Sequence, residues 1–233
     1  MTYIVKIGGA IVDNETTLDC VLDRCAVLGE PFVLVHGGGR IATTLAEQLG
    51  IKQTMIDGRR ITDADTLKVV TMAYAGLINK NIVAKLQARD IQSIGMTGAD
   101  ANLVRAHKRT HSSIDYGFVG DIDAVNVDVL TMLLSNGISV VVAPLTHDGN
   151  GGLLNTNADT IAASIAIRLH SRAELNVLLR YLFEHPGVLR DIRDADSVIP
   201  LVRAEDIAAL TTDGTIDKGM LPKITNAIDA AAA

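Results

Sequence analysis

Two lysines, one aspartate and a set of short glycine clusters carry the chemistry that this 233-residue sequence could perform. Lys6 sits inside the apolar run YIVKI, just ahead of Gly8 and Gly9. An unpaired ammonium among apolar neighbours is costly, so Lys6 calls for an anionic partner or ligand. Lys223, in GMLPK, opens the last predicted helix. Two convergent ammonium groups suit a reaction in which negative charge develops on transferring oxygens. Asp159, in the first turn of a predicted helix after Asn157, is the candidate to orient both. Taken singly, each has a plainer role: a surface lysine, or a carboxylate stabilising a helix N-terminus. Asn155 and Asn157 could offer amides to a polar substrate, or serve only in Asx-turn and N-cap bonding.

The glycines lie after strand candidates, at Gly8–Gly9, at Gly37–Gly38–Gly39 and at Gly98. Glycine lets backbone N–H groups approach an anion, and a following helix adds partial positive charge. Neither GxxxxGK[ST] nor GxGxxG occurs, which excludes the P-loop and the dinucleotide fingerprint. Arg60 and Arg59, in IDGRRITD, are equally placed by spacing to grip a carboxylate bidentately. His36 precedes the GGG cluster and is expected to order that loop through a hydrogen bond. Histidines 107, 111, 147, 170 and 185 show no metal-ligand spacing, and Ser112 and Ser113 have no base–acid pair for a hydrolase triad.

Positioning these groups falls to alternating strand and helix patterns. Residues 3–7 and 31–35 read as strands flanking a helix over 15–28, a βαβ unit that favours a parallel sheet. Helices follow at 40–50 and 63–89, with Gly76 and NKN as possible interruptions, and a strand at 91–95. Residues 104–122 have hairpin character, 126–136 form a helix, and 138–143 form an apolar strand stopped by Pro144. THDGNGG is a loop, and Asn157 caps a helix with Ile161, Ile165 and Leu169 on its apolar face. A strand at 175–183, a turn at Pro186–Gly187 and helices at 203–211 and 219–232 complete the reading.

Composition agrees with helices covering a sheet: 48% of residues are apolar and there is no Trp, so Val, Ile, Leu and Ala must build the core. The net charge of −6 argues against a broad nucleic-acid surface, while leaving room for a local anion pocket. Cys20 and Cys25 are too few for a disulfide scaffold. The longest greasy run, ISVVVAPL, is far short of the roughly 20 residues needed to cross a bilayer, so no membrane is expected as a partner. With no signal peptide recognised, a cytoplasmic location is expected.

With these residues in place, the sequence resembles the amino-acid kinase family, and within it the N-acetylglutamate kinases. The resemblance runs through KIGG (6–9), VHGGG (35–39), GRRITD (58–63), GMTGADANL (95–103), GFVGDI (117–122), VVAPL (141–145), NTNADTIA (155–162) and GMLPK (219–223). It implies an α/β fold, a three-layer αβα sandwich around a mainly parallel sheet, formed as one domain over 1–233. Residues 1–145 would mainly hold the acyl-amino-acid and 146–233 mainly ATP. By motif, Lys6 and Lys223 resemble the lysines on either side of the transferring phosphoryl group, and Asp159 the aspartate that holds both. Gly8, Gly9 and Gly38 resemble the phosphoryl-binding turns. Arg60 and Asn155, with Gly38 and Gly39, resemble the substrate-binding residues.

The implied reaction is attack of the γ-carboxylate of N-acetyl-L-glutamate on the γ-phosphorus of Mg-ATP, giving an acyl phosphate in arginine biosynthesis. A carboxylate is already ionised at neutral pH, so no strong base is needed. Two alternatives stand beside it: an N-succinylglutamate kinase, with Arg59, Lys68 and Lys80 as possible succinyl partners, and a non-catalytic ligand-binding module. The pattern L-x-D-x-x-G-V-L of such kinases meets LNVLLRYLFEHPGVL here, with Arg180, Tyr181 and Leu182 read as lying near the aspartate's place. Tyr181 is a candidate for the purine or ribose region. The family usually continues past the helix of Lys223 with another strand and a short tail; this sequence stops at AIDAAAA, either short of such a tail or leaving a sheet edge exposed. The amino-terminal helix of arginine-sensitive relatives is not found before Lys6, and insensitivity to arginine is expected. A homodimer is the expected assembly.

Overall fold

The computed structural model describes residues 1–56, 59–171, 175–216 and 220–233, without the side chain of Arg59. Gly58 and Gly219, each part of a motif above, lie outside the described residues. The first strand, β1 (Thr2–Ile7), turns at Gly8 into the short helix α1 (Gly9–Asp13). Asn14 then caps α2 (Glu15–Ala26) by accepting the Thr17 N–H at 2.9 Å. Leu18, Val21, Leu22 and Cys25 of α2 are buried at the spacing that puts side chains on one helix face. Next come β2 (Phe32–His36), α3 (Gly39–Gln48) and an antiparallel hairpin of β3 (Thr54–Ile56) and β4 (Arg59–Ile61).

Asp63 caps α4 (Ala64–Thr71) through the Thr66 N–H at 2.8 Å. The helix does not break at Gly76. It passes through a π-helical segment, Met72–Ile78, into α5 (Asn79–Gln87). The chain continues as β5 (Ser93–Met96), β6 (Val104–Lys108), β7 (Gly120–Val125), α6 (Val127–Ser135), β8 (Ser139–Val142), β9 (Leu145–His147) and β10 (Leu153–Asn155). It ends in α7 (Ala158–His170), β11 (Val177–Leu182), α8 (Ile207–Thr212) and α9 (Leu221–Ala232).

Five strands make one parallel sheet in the order β11-β1-β2-β8-β5. β2 and β8 are buried along their whole length, as parallel strands covered on both faces must be. Alternation along the strands divides the core in two. Val5, Ile7, Phe32, Leu34 and Val141 face α2, α3, the π-helical segment and α5. Ile4, Val33, Val35, Val140 and Val142 face α6 and α7. The result is the expected three-layer α/β sandwich. A smaller sheet, β10-β9-β6-β7, flanks it and carries the expected hairpin as the antiparallel β6–β7 pair.

Sequence reading missed the β3–β4 hairpin and the pairing of β9 with β10 across the THDGNGG loop. Each of these four strands is only three residues long, too short to show alternation. Among the described residues no helix is long and apolar enough to cross a membrane. Both cysteines are free.

Candidate active site

The carboxyl ends of β1, β2, β8 and β11 meet at one edge of the parallel sheet, the usual place for ligands in open α/β folds. Lys6, near the end of β1, directs its ammonium to Asp159 Oδ1 at 2.7 Å, with both side chains buried. Asp159 stands in the first turn of α7, where Asn157 caps the helix by accepting the Thr160 N–H at 3.1 Å. Its other oxygen, Oδ2, faces Lys223 Nζ at 3.9 Å. Packing of α9 on α7 brings Lys223 there, aided by a 3.5 Å contact from Asn226 Nδ2 to Thr160 Oγ1. One carboxylate thus stands between two ammonium groups separated by 217 positions in sequence (223 − 6). Burial lowers the Lys6 pKa, Asp159 partly restores it, and Lys223 lowers it further.

Lys6 and Asp159 line a cavity of about 240 Å³ together with Gly9, Gly37–Gly39, Arg60, Tyr74 and Asn155–Ala158. Two helix N-termini open on it, those of α3 at Gly38–Gly39 and α7 at Asn157–Ala158. First-turn amides have no intrahelical acceptor, so this wall presents N–H groups and partial positive charge to an anion. Gly38 has to be glycine: its φ is +150°, and a Cβ there would collide with Ile78. Gly8 differs from expectation. Its N–H donates to the Leu182 carbonyl at 3.0 Å, so it completes the sheet edge, and the adjacent Gly9 faces the cavity. Gly98 is no ligand turn either, since the Val104 and Leu145 carbonyls crowd the space a Cβ would take.

Arg60 projects from β4 into this cavity and is buried. One guanidinium nitrogen donates to both the Gly39 carbonyl and Thr43 Oγ1 at 2.9 Å, and the other donates to Gln53. The hairpin absent from the sequence reading is therefore what places Arg60. Asn155 enters from β10, its amide donating to Thr62 Oγ1 at 3.0 Å. Behind the glycine loop, the fully buried His36 bonds the Gly37 carbonyl through Nδ1 at 2.8 Å, as expected. Its Nε2 faces the amide of Asn79 at 3.4 Å, so the proton resides on Nδ1. Burial pulls the His36 pKa down to about 4.

Tyr181 is the register partner of Lys6, and its hydroxyl donates to the backbone carbonyl of Asp159 at 3.0 Å. The acid that acts on Lys6 from this strand's end is Glu184. Reading L-x-D-x-x-G-V-L from Leu182 gives LFEHPGVL, which puts Glu184 in the aspartate's place. Glu184 stands two residues past Leu182, and the expected Arg180, Tyr181 and Leu182 lie before it in and at the end of β11. Treating glutamate as equivalent to aspartate would have found the residue. Beyond β11 lies a second cavity of about 540 Å³, lined by His185, Val188–Arg193, Gly214, Thr215 and Met220. Met220 lies three residues before Lys223, which places this cavity on the Lys223 side of the site. Among the described residues no cluster of His, Cys, Asp and Glu could by itself hold a metal.

Of the possible succinyl partners, Lys68 pairs with Asp65 at 2.8 Å. Lys80 donates to the Gly95 carbonyl at 2.9 Å and to Asn79 at 3.1 Å. The Arg59 side chain is outside the described residues.

Comparison with known proteins agrees with this architecture. The acetylglutamate kinase of Cytophaga hutchinsonii is 53% identical over 98% of this chain and 86% of its own length. That of Methanopyrus kandleri is 39% identical over 95% of this chain and 87% of its own. A crystal structure from Streptococcus mutans superposes with a TM-score of 0.82 at 26% identity, covering 99% of this chain and 90% of that one. The N-acetylglutamate synthase of Neisseria gonorrhoeae shares the fold, with a TM-score of 0.81 at 22% identity over 99% of this chain and 51% of that one. The model of the amino acid kinase family matches residues 1–233, and the chain belongs to that family.

Proposed function

We propose that this protein is an acetylglutamate kinase: it transfers the γ-phosphoryl group of ATP to the γ-carboxylate of N-acetyl-L-glutamate, giving an acyl phosphate and ADP. The observation that carries the reading is Asp159 set between Lys6 and Lys223 beside a cavity walled by helix N-termini. Lys6 neutralises the transferring group from the acceptor side, and Lys223 the ADP leaving group from the nucleotide side. Asp159 fixes both. The amides of Gly9, Gly38 and Gly39 cradle the phosphoryl oxygens. Arg60 and Asn155 hold the amino-acid portion of the substrate.

Catalysis is then alignment and charge stabilisation, with no base required of the protein. Magnesium enters with the ATP phosphates as part of that substrate. The second cavity is the proposed seat of the nucleoside, which puts the nucleotide mainly on residues 146–233. The acyl-amino-acid side draws mainly on 1–145, with Asn155–Asp159 reaching across to it. The proposed assembly is a homodimer, to be measured by light scattering.

The acetyl group is favoured over succinyl because two of the three possible succinyl partners, Lys68 and Lys80, are engaged elsewhere and the similar proteins of Cytophaga hutchinsonii and Methanopyrus kandleri are acetylglutamate kinases. A hydroxamate assay with ATP and, in parallel, N-acetyl-, N-succinyl- and unmodified glutamate tests this. ATP-dependent product from N-acetylglutamate supports the reading. Product from succinylglutamate alone would move the substrate, and no product from any would overturn it.

A further inference from the structure

We propose that Tyr181 is a positioning residue for phosphoryl transfer, its hydroxyl holding the first turn of α7 so that the Asp159 carboxylate stays between the two lysines. The inference rests on the reaction proposed above.

Lys6 and Tyr181 are direct partners in the parallel β1–β11 pair, so both side chains leave the same face of the sheet. That face is the one covered by α7, where Ile4 is buried and Leu179 and Tyr181 pack. Both polar ends converge on one residue of that helix. The Lys6 ammonium meets the Asp159 side chain at 2.7 Å, and the Tyr181 hydroxyl meets the Asp159 backbone carbonyl at 3.0 Å. The strand pair therefore grips Asp159 at two points, and the second fixes the backbone from which the carboxylate extends. Burial and the nearby Asp159 charge raise the phenol's pKa, so it stays a neutral donor through the working range. The single donor proton of the hydroxyl is thus committed to α7, and not to a purine or ribose, the role first considered for it.

Tyr181→Phe keeps the ring in the core and removes only the donor. One neutral hydrogen bond places the expected loss of kcat at about five- to tenfold, with KM for ATP and for N-acetylglutamate held within about twofold. In an Asp159→Asn background, where the carboxylate no longer orients the lysines, the same change should alter residual kcat by less than about twofold. Unchanged kcat in Tyr181→Phe overturns the proposal. So does a raised KM for ATP at full kcat, which assigns the hydroxyl to the nucleotide. Equal losses in both backgrounds would also overturn it, because the hydroxyl would then act apart from Asp159. These outcomes are read against the unsubstituted enzyme. Its failure to phosphorylate N-acetylglutamate would instead remove the functional reading itself.

Discussion

The Lys6 ammonium lies 2.7 Å from the Asp159 carboxylate in a setting where both side chains are buried. The pair has opposing consequences for activity and stability. Burial, the largest influence, depresses the Lys6 pKa, and the neighbouring carboxylate only partly offsets it. As pH rises through that lowered pKa, the lysine loses the charge the transfer needs, so kcat should fall at a pH below the ordinary lysine value of 10.5. Stability should move the other way. Between the lowered pKa and 10.5 the unfolded chain holds more protons than the folded one, so unfolding free energy rises with pH. Urea denaturation of wild type and Lys6→Met across this window checks it: the pH slope of unfolding free energy should be more positive in wild type than in the variant, the other titrating groups being common to both. Identical pH slopes would contradict the assignment.

Arg60 is already held in place by Gly39, Thr43 and Gln53 before any substrate arrives. Losing a charge-assisted contact to a carboxylate is worth about ten- to hundredfold in binding. Arg60→Ala should therefore raise KM for N-acetylglutamate by about that factor, with a smaller effect on KM for ATP. Steady-state kinetics with each substrate varied separately would show it. A selective rise in KM for ATP would place the guanidinium on the wrong substrate.

His36 is neutral and fully buried behind the glycine loop, with its pKa lowered to about 4 against 6.5 in the unfolded chain. Its contribution is fully present above pH 6.5 and is lost as pH falls from there towards about 4, an effect of at most about 3 kcal/mol. Chemical denaturation at intervals across this range should show the loss in wild type and a flatter profile in His36→Asn. A wild-type profile no steeper than the variant's would contradict it.

Much of the molecule was legible in its sequence, for identifiable reasons. The central strands β2 and β8 announced themselves as apolar runs, and Lys6 stood out because an ammonium among the apolar residues of β1 needs a partner. Asn157 caps its helix as its residue type suggested. What could not be read was the consequence of long-range contact. No local pattern joins Lys223 to Asp159, since α9 must first dock on α7. The choice between Arg59 and Arg60 rested on resemblance, and the structure places Arg60 on a three-residue strand without periodicity of its own. Glu184 was passed over because the expected residue was aspartate. The Tyr181 hydroxyl bond depends on strand register, which a single strand does not reveal.

The most direct test of the central claim is kcat for ATP-dependent acyl hydroxamate formation by Lys6→Ala, beside a circular dichroism spectrum confirming the fold. If Lys6 neutralises the migrating phosphoryl group, kcat should drop by about a hundredfold or more while the spectrum is unchanged. A folded Lys6→Ala enzyme turning over at the wild-type rate would contradict the account.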